Sequence, residues 1–247
     1  MLRRLVSILV IILWACGDAP AGGAPGASTP ETPAERSGTA AAPNTPSPDS
    51  SAAEAGPVVV FLGTSLTAGQ GLPGPEEAYP ARVDALADSA GRPIRSVNAG
   101  VSGETSAGGL RRLDWVLRTP VDILVLELGA NDGLRGQDPD ALRRNLTEII
   151  QRTRTRYPGA RVLIAGMQAP PNMGTRYTEA FARVFSEVAQ ETDAELVPFL
   201  LEGVAGQPEL NQDDGIHPTA EGHERMARLV WPHLEPLVRA MGEEAGG

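Results

Sequence analysis

Val58-Val59-Val60-Phe61-Leu62-Gly63-Thr64-Ser65 is an apolar, largely β-branched run that stops at a glycine and is followed by a serine. Short apolar runs of this kind are typical of fully buried strands. Gly63 permits a tight turn at a point where a side chain would clash. We therefore expect Ser65 on the turn at the carboxyl end of a strand, where open α/β sheets keep their ligand sites. A hydroxyl held there by a rigid scaffold is a candidate nucleophile.

Two other interpretations of Ser65 stay open from this stretch alone. Gly-x-Ser turns are common, and a serine after a strand is often a turn or N-cap residue. Gly63-Thr64-Ser65 could also form an anion-binding loop at a helix N-terminus, as in flavin or nucleotide proteins. The remaining sequence has to decide between these interpretations and the nucleophile.

The sequence beyond Val58 alternates between strand-like and helix-like segments. The strand candidates are Val58–Leu62, Ile94–Asn98, Ile123–Leu128, Arg161–Met167 and Glu195–Phe199. The helix candidates are Pro80–Ala90, Ser106–Leu117, Pro139–Tyr157, Tyr177–Thr192 and Thr219–Met241. This alternation predicts an α/β fold with a parallel sheet, helices on both faces and right-handed crossovers. We expect Pro232 and Pro236 to break or kink the last helix.

Composition narrows the classes of function. The chain has 247 residues and a formal net charge of −10, and we expect no nucleic-acid partner because phosphate contacts need clustered Lys or Arg. The single cysteine, Cys16, excludes an internal disulfide and a cysteine-based metal cage. Nothing in the sequence requires an obligate protein partner.

The N-terminus has the pattern of an export signal. Two arginines precede the apolar run Leu5–Leu13, which is too short to span a bilayer permanently, and a small residue precedes Cys16. Leu13-Trp14-Ala15-Cys16 also resembles the bacterial lipobox, in which the cysteine is lipidated and becomes the mature N-terminus. We therefore expect residues 1–15 to be a lipoprotein signal peptide and the protein to be an exported, membrane-anchored lipoprotein of the cell envelope. The alternative is an unlipidated signal peptide.

The segment that follows the signal is dominated by Ala, Pro, Gly, Ser and Thr and has no apolar periodicity. Such a composition cannot bury a core. We expect residues 16–57 to comprise the lipidated Cys16 and a disordered tether that holds the domain off the membrane. The domain itself should cover residues 58–241, followed by a disordered tail at residues 242–247.

Residues with catalytic potential follow several of the predicted strands. Gly103 comes after the second strand and can offer an unobstructed backbone N–H, and Asn131 carries an amide donor on a loop after the third. Asp214 and His217 are close together on a turn-rich loop before the last helix, so the carboxylate can hold the imidazole. Each has an ordinary explanation as a turn or surface residue. Because all carboxyl ends of a parallel sheet share one edge, we expect them beside Ser65, with His217 as the base.

Four segments in this order resemble the blocks of the GDSL, or SGNH, hydrolase family. They are Gly63-Thr64-Ser65-Leu66, Gly103, Gly129-Ala130-Asn131-Asp132 and Asp214-Gly215-Ile216-His217-Pro218. The resemblance runs from Val58 to about Val238 and is closest to the branch of bacterial arylesterases, thioesterase I and lysophospholipase L1. It implies a three-layer α/β/α sandwich around a flavodoxin-like parallel sheet of five strands.

The resemblance also implies a role for each site residue. Ser65 would attack an acyl carbonyl, His217 would accept and return the proton, and Asp214 would orient His217. The family pattern has its Asp three residues before the His, which selects Asp214 for this role. The N–H groups of Ser65 and Gly103 and the side-chain amide of Asn131 would form the oxyanion hole. The reaction needs no metal and no organic cofactor.

One position departs from the family, and one region is assigned only by analogy. The family has Asp before its nucleophile, where this chain has Thr64, which brings no negative charge beside Ser65. By analogy with the thioesterase-like branch, the apolar side chains of Met167, Pro170 and Met173 would flank the acyl chain. The alternative for that segment is an ordinary connecting loop.

The leading hypothesis is a membrane-tethered serine esterase that acts on small acyl esters, acyl thioesters or lysophospholipids through an acyl-enzyme. Within the same family the alternative is a carbohydrate O-deacetylase, but sugar subsites favour exposed aromatics, which make up 4% of this chain. A flavodoxin-like binding protein would use Gly63–Thr67 as a phosphate cradle, yet it gives no reason for Asn131 or the Asp214–His217 loop. The complete set of catalytic residues argues against an inactive envelope module.

Overall fold

The computed structural model describes residues 56–245. The predicted signal peptide, the predicted lipidation site Cys16 and nearly all of the predicted tether lie outside the described residues. The described part of the chain forms a parallel sheet with helices packed around it. None of the helices in this part combines the length and the apolar character that crossing a bilayer requires.

The sheet has five strands, all parallel to their neighbours, in the order β2-β1-β3-β4-β5. The strands are β1 (Val58–Gly63), β2 (Arg95–Gly100), β3 (Ile123–Glu127), β4 (Arg161–Ala165) and β5 (Glu195–Val197). This is the flavodoxin-like order, in which the winding of the sheet reverses between β1 and β3. The prediction of an α/β fold with five parallel strands is confirmed.

The apolar character of each strand follows its place in the sheet. β1 and β3 are buried along their whole length because they are central strands covered on both faces. β2 is an edge strand with a half-exposed pattern and lacks a continuous apolar run. At the carboxyl edge, Gly63 of β1 lies between Gly100 of β2 and Glu127 of β3.

The helices form two layers around the sheet. They are α1 (Ser65–Ala68), α2 (Tyr79–Ser89), α3 (Ser106–Val116), α4 (Ala130–Leu134), α5 (Pro139–Arg156), α6 (Thr175–Thr192) and α7 (Ala220–Ala245). α2 packs against α7, whereas α3 packs against α5 and α5 against α6. Because right-handed crossovers change face when the winding reverses, these two groups are the outer layers of a three-layer α/β/α sandwich.

The last helix differs from the sequence prediction in two ways. α7 runs continuously through Pro232 and Pro236, so the predicted break is wrong, while the alternative of a kink stays a prediction; packing of the buried face of α7 outweighs the lost hydrogen bonds. The helix also reaches Ala245, beyond the predicted domain end at Met241, and an Arg–Glu pair four residues apart spans that boundary. The tail predicted at residues 242–247 is therefore helical up to Ala245.

Candidate active site

The turn that carries Ser65 is fixed by close contacts with the end of the sheet. Ser65 is the first residue of α1, two residues after β1 ends at Gly63. Gly63 is required there, since a Cβ would lie 2.0 Å from Thr67 Oγ1 and 2.5 Å from Glu127 Oε2. Thr64 is the N-cap of α1, and its hydroxyl accepts a backbone N–H of the first turn. Ser65 is 9% exposed, so this turn holds its side chain almost entirely within the protein.

The loop before α7 brings His217 to this turn. It is closed at its base by an antiparallel bridge between Asn211 and Pro218. The side-chain amide of Gln212 donates to the carbonyl of Gln70 at 2.8 Å and to that of Pro218 at 2.9 Å. Gln212 therefore ties the loop that carries His217 to the segment that follows α1.

Ser65, His217 and Asp214 form a hydrogen-bonded series. Oγ of Ser65 lies 3.0 Å from Nε2 of His217, and Nδ1 of His217 lies 2.6 Å from Oδ2 of Asp214. Oδ1 of Asp214 accepts the backbone N–H groups of Ile216 and His217, each at 3.0 Å. The bond to the imidazole, followed by these backbone bonds, lowers the pKa of Asp214 to about 2. Asp214 is thus ionised at neutral pH and oriented toward the imidazole.

Gly103 and Asn131 face the same cavity as Ser65 and His217. Gly103 has a φ of +76°, a left-handed conformation that glycine adopts readily, and its carbonyl accepts Nη2 of Arg135 at 2.9 Å. Asn131 lies in α4 rather than on the predicted loop, because the chain turns into a short helix soon after β3. The structure therefore gathers the three expected oxyanion donors around one cavity.

A cavity of about 440 Å³ opens beside the serine and the imidazole. Of the three residues predicted to contact the acyl chain, Met167 and Pro170 lie in the cavity wall and Met173 does not. Met173 ends an exposed 3₁₀ turn, where its terminal methyl group lies near Gly136 instead. Further apolar wall residues, which the sequence analysis missed, are Leu134, Phe199, Leu201, Ala205 and Ile216. Those from Phe199 to Ala205 follow β5, so the rule that locates ligand sites at strand ends could have found them.

Glu127 was also missed, although it lies directly beside the nucleophile turn. It is the last residue of β3 and is fully buried. Its carboxyl accepts the N–H of Thr64 at 2.8 Å and that of Thr67 at 3.3 Å, as well as both hydroxyl groups. Burial raises the pKa of Glu127 to about 7, against the opposing effect of these hydrogen bonds. The available sequence signal was a lone acid at the end of an apolar strand.

The other two histidines do not line the cavity. His223 is 1% exposed, and its Nδ1 accepts the backbone N–H of Tyr79 at 3.1 Å. Burial lowers the pKa of His223 to about 4. His233 pairs with Glu195 at 3.0 Å. Within residues 56–245, no three His, Cys, Asp or Glu side chains are grouped so that they could hold a metal ion.

The site contains a serine hydroxyl, an imidazole and a carboxylate in a hydrogen-bonded series, and it lies where a flavodoxin-like sheet reverses its winding. This arrangement is characteristic of serine hydrolases. Comparison with known proteins gives the same class. Residues 61–225 match the GDSL-like Lipase/Acylhydrolase family, and the chain belongs to this family. The resemblance carried by the four sequence blocks is thereby confirmed.

Relatives and solved structures agree with this assignment. The chain is 45% identical to Esterase TesA of Pseudomonas aeruginosa over 73% of this chain and 89% of that protein. It is 38% identical to Thioesterase 1/protease 1/lysophospholipase L1 of Escherichia coli strain K12, over 75% of this chain and 87% of that protein. The psychrotrophic esterase EstA from Pseudoalteromonas sp., in a structure inhibited by monoethylphosphonate, is 31% identical with a TM-score of 0.69. That match covers 74% of this chain and 98% of the other.

Proposed function

We propose that this protein hydrolyses carboxylic esters, with Ser65 as the nucleophile, His217 as general base and acid, and Asp214 as the group that orients His217. The observation that carries the proposal is the 3.0 Å contact between Ser65 Oγ and His217 Nε2, backed by the 2.6 Å contact between His217 and Asp214. A serine hydroxyl is a weak nucleophile until an adjacent base accepts its proton. The family, and a relative named as an esterase, support the same activity.

Each half of the reaction moves one proton through His217. As Oγ of Ser65 forms a bond to the acyl carbon, its proton passes to Nε2, and the carboxylate of Asp214 stabilises the imidazolium. The bond from the acyl carbon to the leaving oxygen or sulfur then breaks, and Nε2 returns the proton to that atom. Water next attacks the acyl-enzyme, giving its proton to Nε2, and the acid leaves as Ser65 regains a proton.

The charge that develops on the carbonyl oxygen needs hydrogen-bond donors. We assign this role to the N–H groups of Ser65 and Gly103 and to the side-chain amide of Asn131, since all three residues line the cavity. Such donors stabilise the oxyanion more than the neutral carbonyl, and loss of one typically lowers kcat by about 10²–10³.

We assign small acyl esters and acyl thioesters as the substrates, together with lysophospholipids. The apolar cavity wall, including Met167, Phe199 and Leu201, supports binding of an acyl chain. A relative named as a thioesterase and lysophospholipase supports the two other substrate classes. A carbohydrate O-deacetylase has less support, because Phe199 is the one Phe, Trp or Tyr in the cavity wall of the described chain.

Hydrolysis of p-nitrophenyl acetate and butyrate tests the proposed activity. We expect turnover by the wild-type protein and loss of roughly 10⁴-fold or more in kcat for Ser65→Ala, because the covalent route is removed. Ser89→Ala, a change at an exposed serine on α2, is the matched control and should keep wild-type kcat. Wild-type turnover by Ser65→Ala would show that the nucleophile is wrongly assigned.

A panel of acyl groups from acetyl to palmitoyl, presented as oxygen esters, thioesters and lysolipids, tests the substrate class. We expect kcat/KM to rise beyond acetyl, because a longer chain buries more apolar surface in the cavity. Activity confined to acetyl groups on carbohydrate would favour the deacetylase instead.

We also propose that Cys16 is lipidated and that the protein is an exported, membrane-anchored lipoprotein. The support is the sequence Leu13-Trp14-Ala15-Cys16 after a short apolar run. Metabolic labelling with a fatty acid should mark the wild-type protein and not Cys16→Ser. Equal labelling of both proteins, or of neither, would contradict the lipid anchor.

A further inference from the structure

A fully buried carboxyl group lies next to the nucleophile without taking part in the proton transfers described above. Oε2 of Glu127 accepts the N–H of Thr64 at 2.8 Å, the N–H of Thr67 at 3.3 Å and the hydroxyl of Thr67 at 2.8 Å. Oε1 accepts the hydroxyl of Thr64 at 3.0 Å. These donors come from the residue before Ser65 and from the second residue after it. One carboxyl therefore spans the turn that presents the nucleophile.

We propose that Glu127 is a positioning residue for the reaction: its ionised carboxylate fixes the peptide groups on either side of Ser65, so that the Ser65 hydroxyl and N–H stay directed at the substrate carbonyl. The inference deepens the proposed ester hydrolysis and rests on it. Glu127 acts through the turn, whereas Ser65 and His217 touch the reacting atoms.

The hydrogen-bond directions favour the ionised form of Glu127. A carboxylate is an acceptor only, and all of its partners here are backbone N–H groups or hydroxyls that can donate. The N–H of Leu66 donates to Thr64 Oγ1, and the Thr64 hydroxyl can then donate to Glu127. If the carboxyl were protonated toward Thr64, the Thr64 hydroxyl would lose that acceptor. With Glu127 ionised, each hydrogen bond from the Leu66 N–H to Thr64 Oγ1 and from the Thr64 hydroxyl to the carboxylate therefore has one donor and one acceptor.

Because residue 64 is Thr and not Asp, Glu127 has no second carboxylate beside it at the nucleophile turn. The family has Asp where this chain has Thr64, and the Thr64 hydroxyl lies 3.0 Å from one Glu127 oxygen and 3.1 Å from the other. An Asp side chain there would place a second negative charge close to the first, and neighbouring carboxylates resist double ionisation. A hydroxyl donates to Glu127 and carries no charge. Thr64 therefore makes ionisation of Glu127 easier than the family residue would.

Among the ionisable groups packed around the Glu127 carboxyl, the carboxyl itself is the one that changes its protonation state near neutral pH. Tyr79 of α2 reaches it through the Thr67 hydroxyl, and burial raises the pKa of Tyr79 so far that it stays neutral. His223 of α7 stacks on Tyr79 and stays neutral because burial lowers its pKa to about 4. From α3, the guanidinium of Arg112 donates to the Gly63 carbonyl, and its charge is balanced by a salt bridge with Glu104. Burial of Glu127 itself raises its pKa to about 7.

The test compares Glu127→Gln with the wild-type full-length protein on p-nitrophenyl butyrate. Gln keeps the shape and one acceptor oxygen and removes the charge. With sites counted by phosphonate titration, kcat per site should fall roughly tenfold and KM should change less than about twofold. Toward low pH, log kcat of the wild type should fall with a slope about 1 unit steeper than that of Glu127→Gln, because in the wild type Glu127 must also lose a proton.

A second variant, Thr64→Asp, restores the family residue and provides a test even if Glu127→Gln folds poorly. It should move the acid-side limb of the pH profile up by about one pH unit, because the added carboxylate opposes ionisation of Glu127. Asp84→Asn is the matched control: Asp84 is bonded by Ser96, and burial raises its pKa too, but it lies on α2 away from the turn. This variant should keep the wild-type slope and kcat.

The outcomes separate the two levels of the proposal. Absence of ester turnover in the wild-type protein would overturn the proposed function. If the wild-type protein hydrolyses esters, two results would overturn the positioning role of Glu127 alone. One is a folded Glu127→Gln with the same acid-side slope of log kcat as the wild type, and the other is a Thr64→Asp whose acid-side limb has not moved. A fall in thermal stability without a change of slope would show that Glu127 is structural only.

Discussion

Asp214 shows how a surface loop can hold a charged group in one orientation. Its carboxylate accepts the imidazole N–H of His217 and two backbone N–H groups of its own loop. Because these bonds lower the pKa of Asp214 to about 2, the associated stability is fully present above the unfolded pKa and is lost as the pH falls toward 2. Loss of activity between pH 5 and 7 therefore does not come from protonation of Asp214, whereas burial raises the pKa of Glu127 to about 7.

Replacement of Asp214 by Asn tests its orienting role. Asn has the same shape but presents an amide that can disturb the tautomer and orientation of His217, so kcat should fall by roughly 10³–10⁴. Asp213→Asn changes the adjacent exposed acid and should leave kcat at the wild-type value. Steady-state hydrolysis of p-nitrophenyl butyrate at pH 8 measures both variants. Equal activity of the two variants would remove Asp214 from the triad.

The residues that could be predicted from sequence are those whose place follows from strand ends. Ser65, Gly103 and Asn131 each come after a strand of a parallel sheet, so topology alone brings them to one edge. Contacts between side chains far apart in sequence did not follow from this rule. Glu127 looked like the end of a strand, and Gln212 looked like one polar residue among several. Glu127 gains its partners only when β3 lies beside β1. Gln212 gains its partner only when the loop before α7 lies beside the segment that follows α1.

At the scale of elements, α7 is where local propensity and packing disagree most. Pro232 and Pro236 each remove a helical hydrogen bond, at a cost of about 3 kcal/mol or more per proline. The opposite side of the helix is buried, with Val230, Leu234 and Val238 at 0%, 0% and 4% exposure. Each buried side chain of this kind contributes roughly 1.5–3 kcal/mol, so packing keeps the helix continuous. A propensity rule applied to the sequence could not include that contribution.

Pro236→Ala should stabilise the protein. Pro236 is exposed, and Ala would restore the N–H donor to the carbonyl of Pro232, so we expect the free energy of unfolding to rise by about 1 kcal/mol or more. Pro139→Ala is the matched control, because Pro139 starts α5, where no intrahelical N–H bond is made, and should give no gain. Urea denaturation followed by circular dichroism measures both. No gain in Pro236→Ala would mean that the proline shapes α7 favourably.

His223 couples the packing of α7 on α2 to pH. It is buried, and its Nδ1 must be unprotonated to accept the N–H of Tyr79. Because the folded pKa is lowered to about 4, this contribution to stability is fully present above the unfolded value and is lost as pH falls toward 4. The loss amounts to about 3 kcal/mol.

His223→Asn keeps an acceptor near the Nδ1 position and cannot be protonated. Melting temperatures at pH 7 and pH 4 should therefore differ less in this variant than in the wild type. His233→Asn is the control, since His233 is only partly buried and pairs with Glu195. If both variants lose as much stability as the wild type over this pH range, buried His223 is not a source of the acid sensitivity.

At the scale of the whole molecule, the site depends on the reversal of winding between β1 and β3. Ser65 follows the first of these strands and Asn131 the second, and the loop that carries His217 comes after the last strand. The parallel sheet could be expected from the alternating sequence, and its flavodoxin-like arrangement of five strands from the family resemblance. The extent of α7 and the cavity wall after β5 could not, because both depend on how distant elements pack together.

Reaction with a p-nitrophenyl phosphonate ester tests the central claim most directly, because the reagent reacts only with a nucleophile activated beside oxyanion donors. We predict release of about one equivalent of p-nitrophenolate per chain and a phosphonyl adduct on the peptide that contains Ser65, as detected by mass spectrometry. The same treatment of Ser65→Ala should release none. An adduct on another residue, or continued ester hydrolysis after treatment without any adduct at Ser65, would contradict the account.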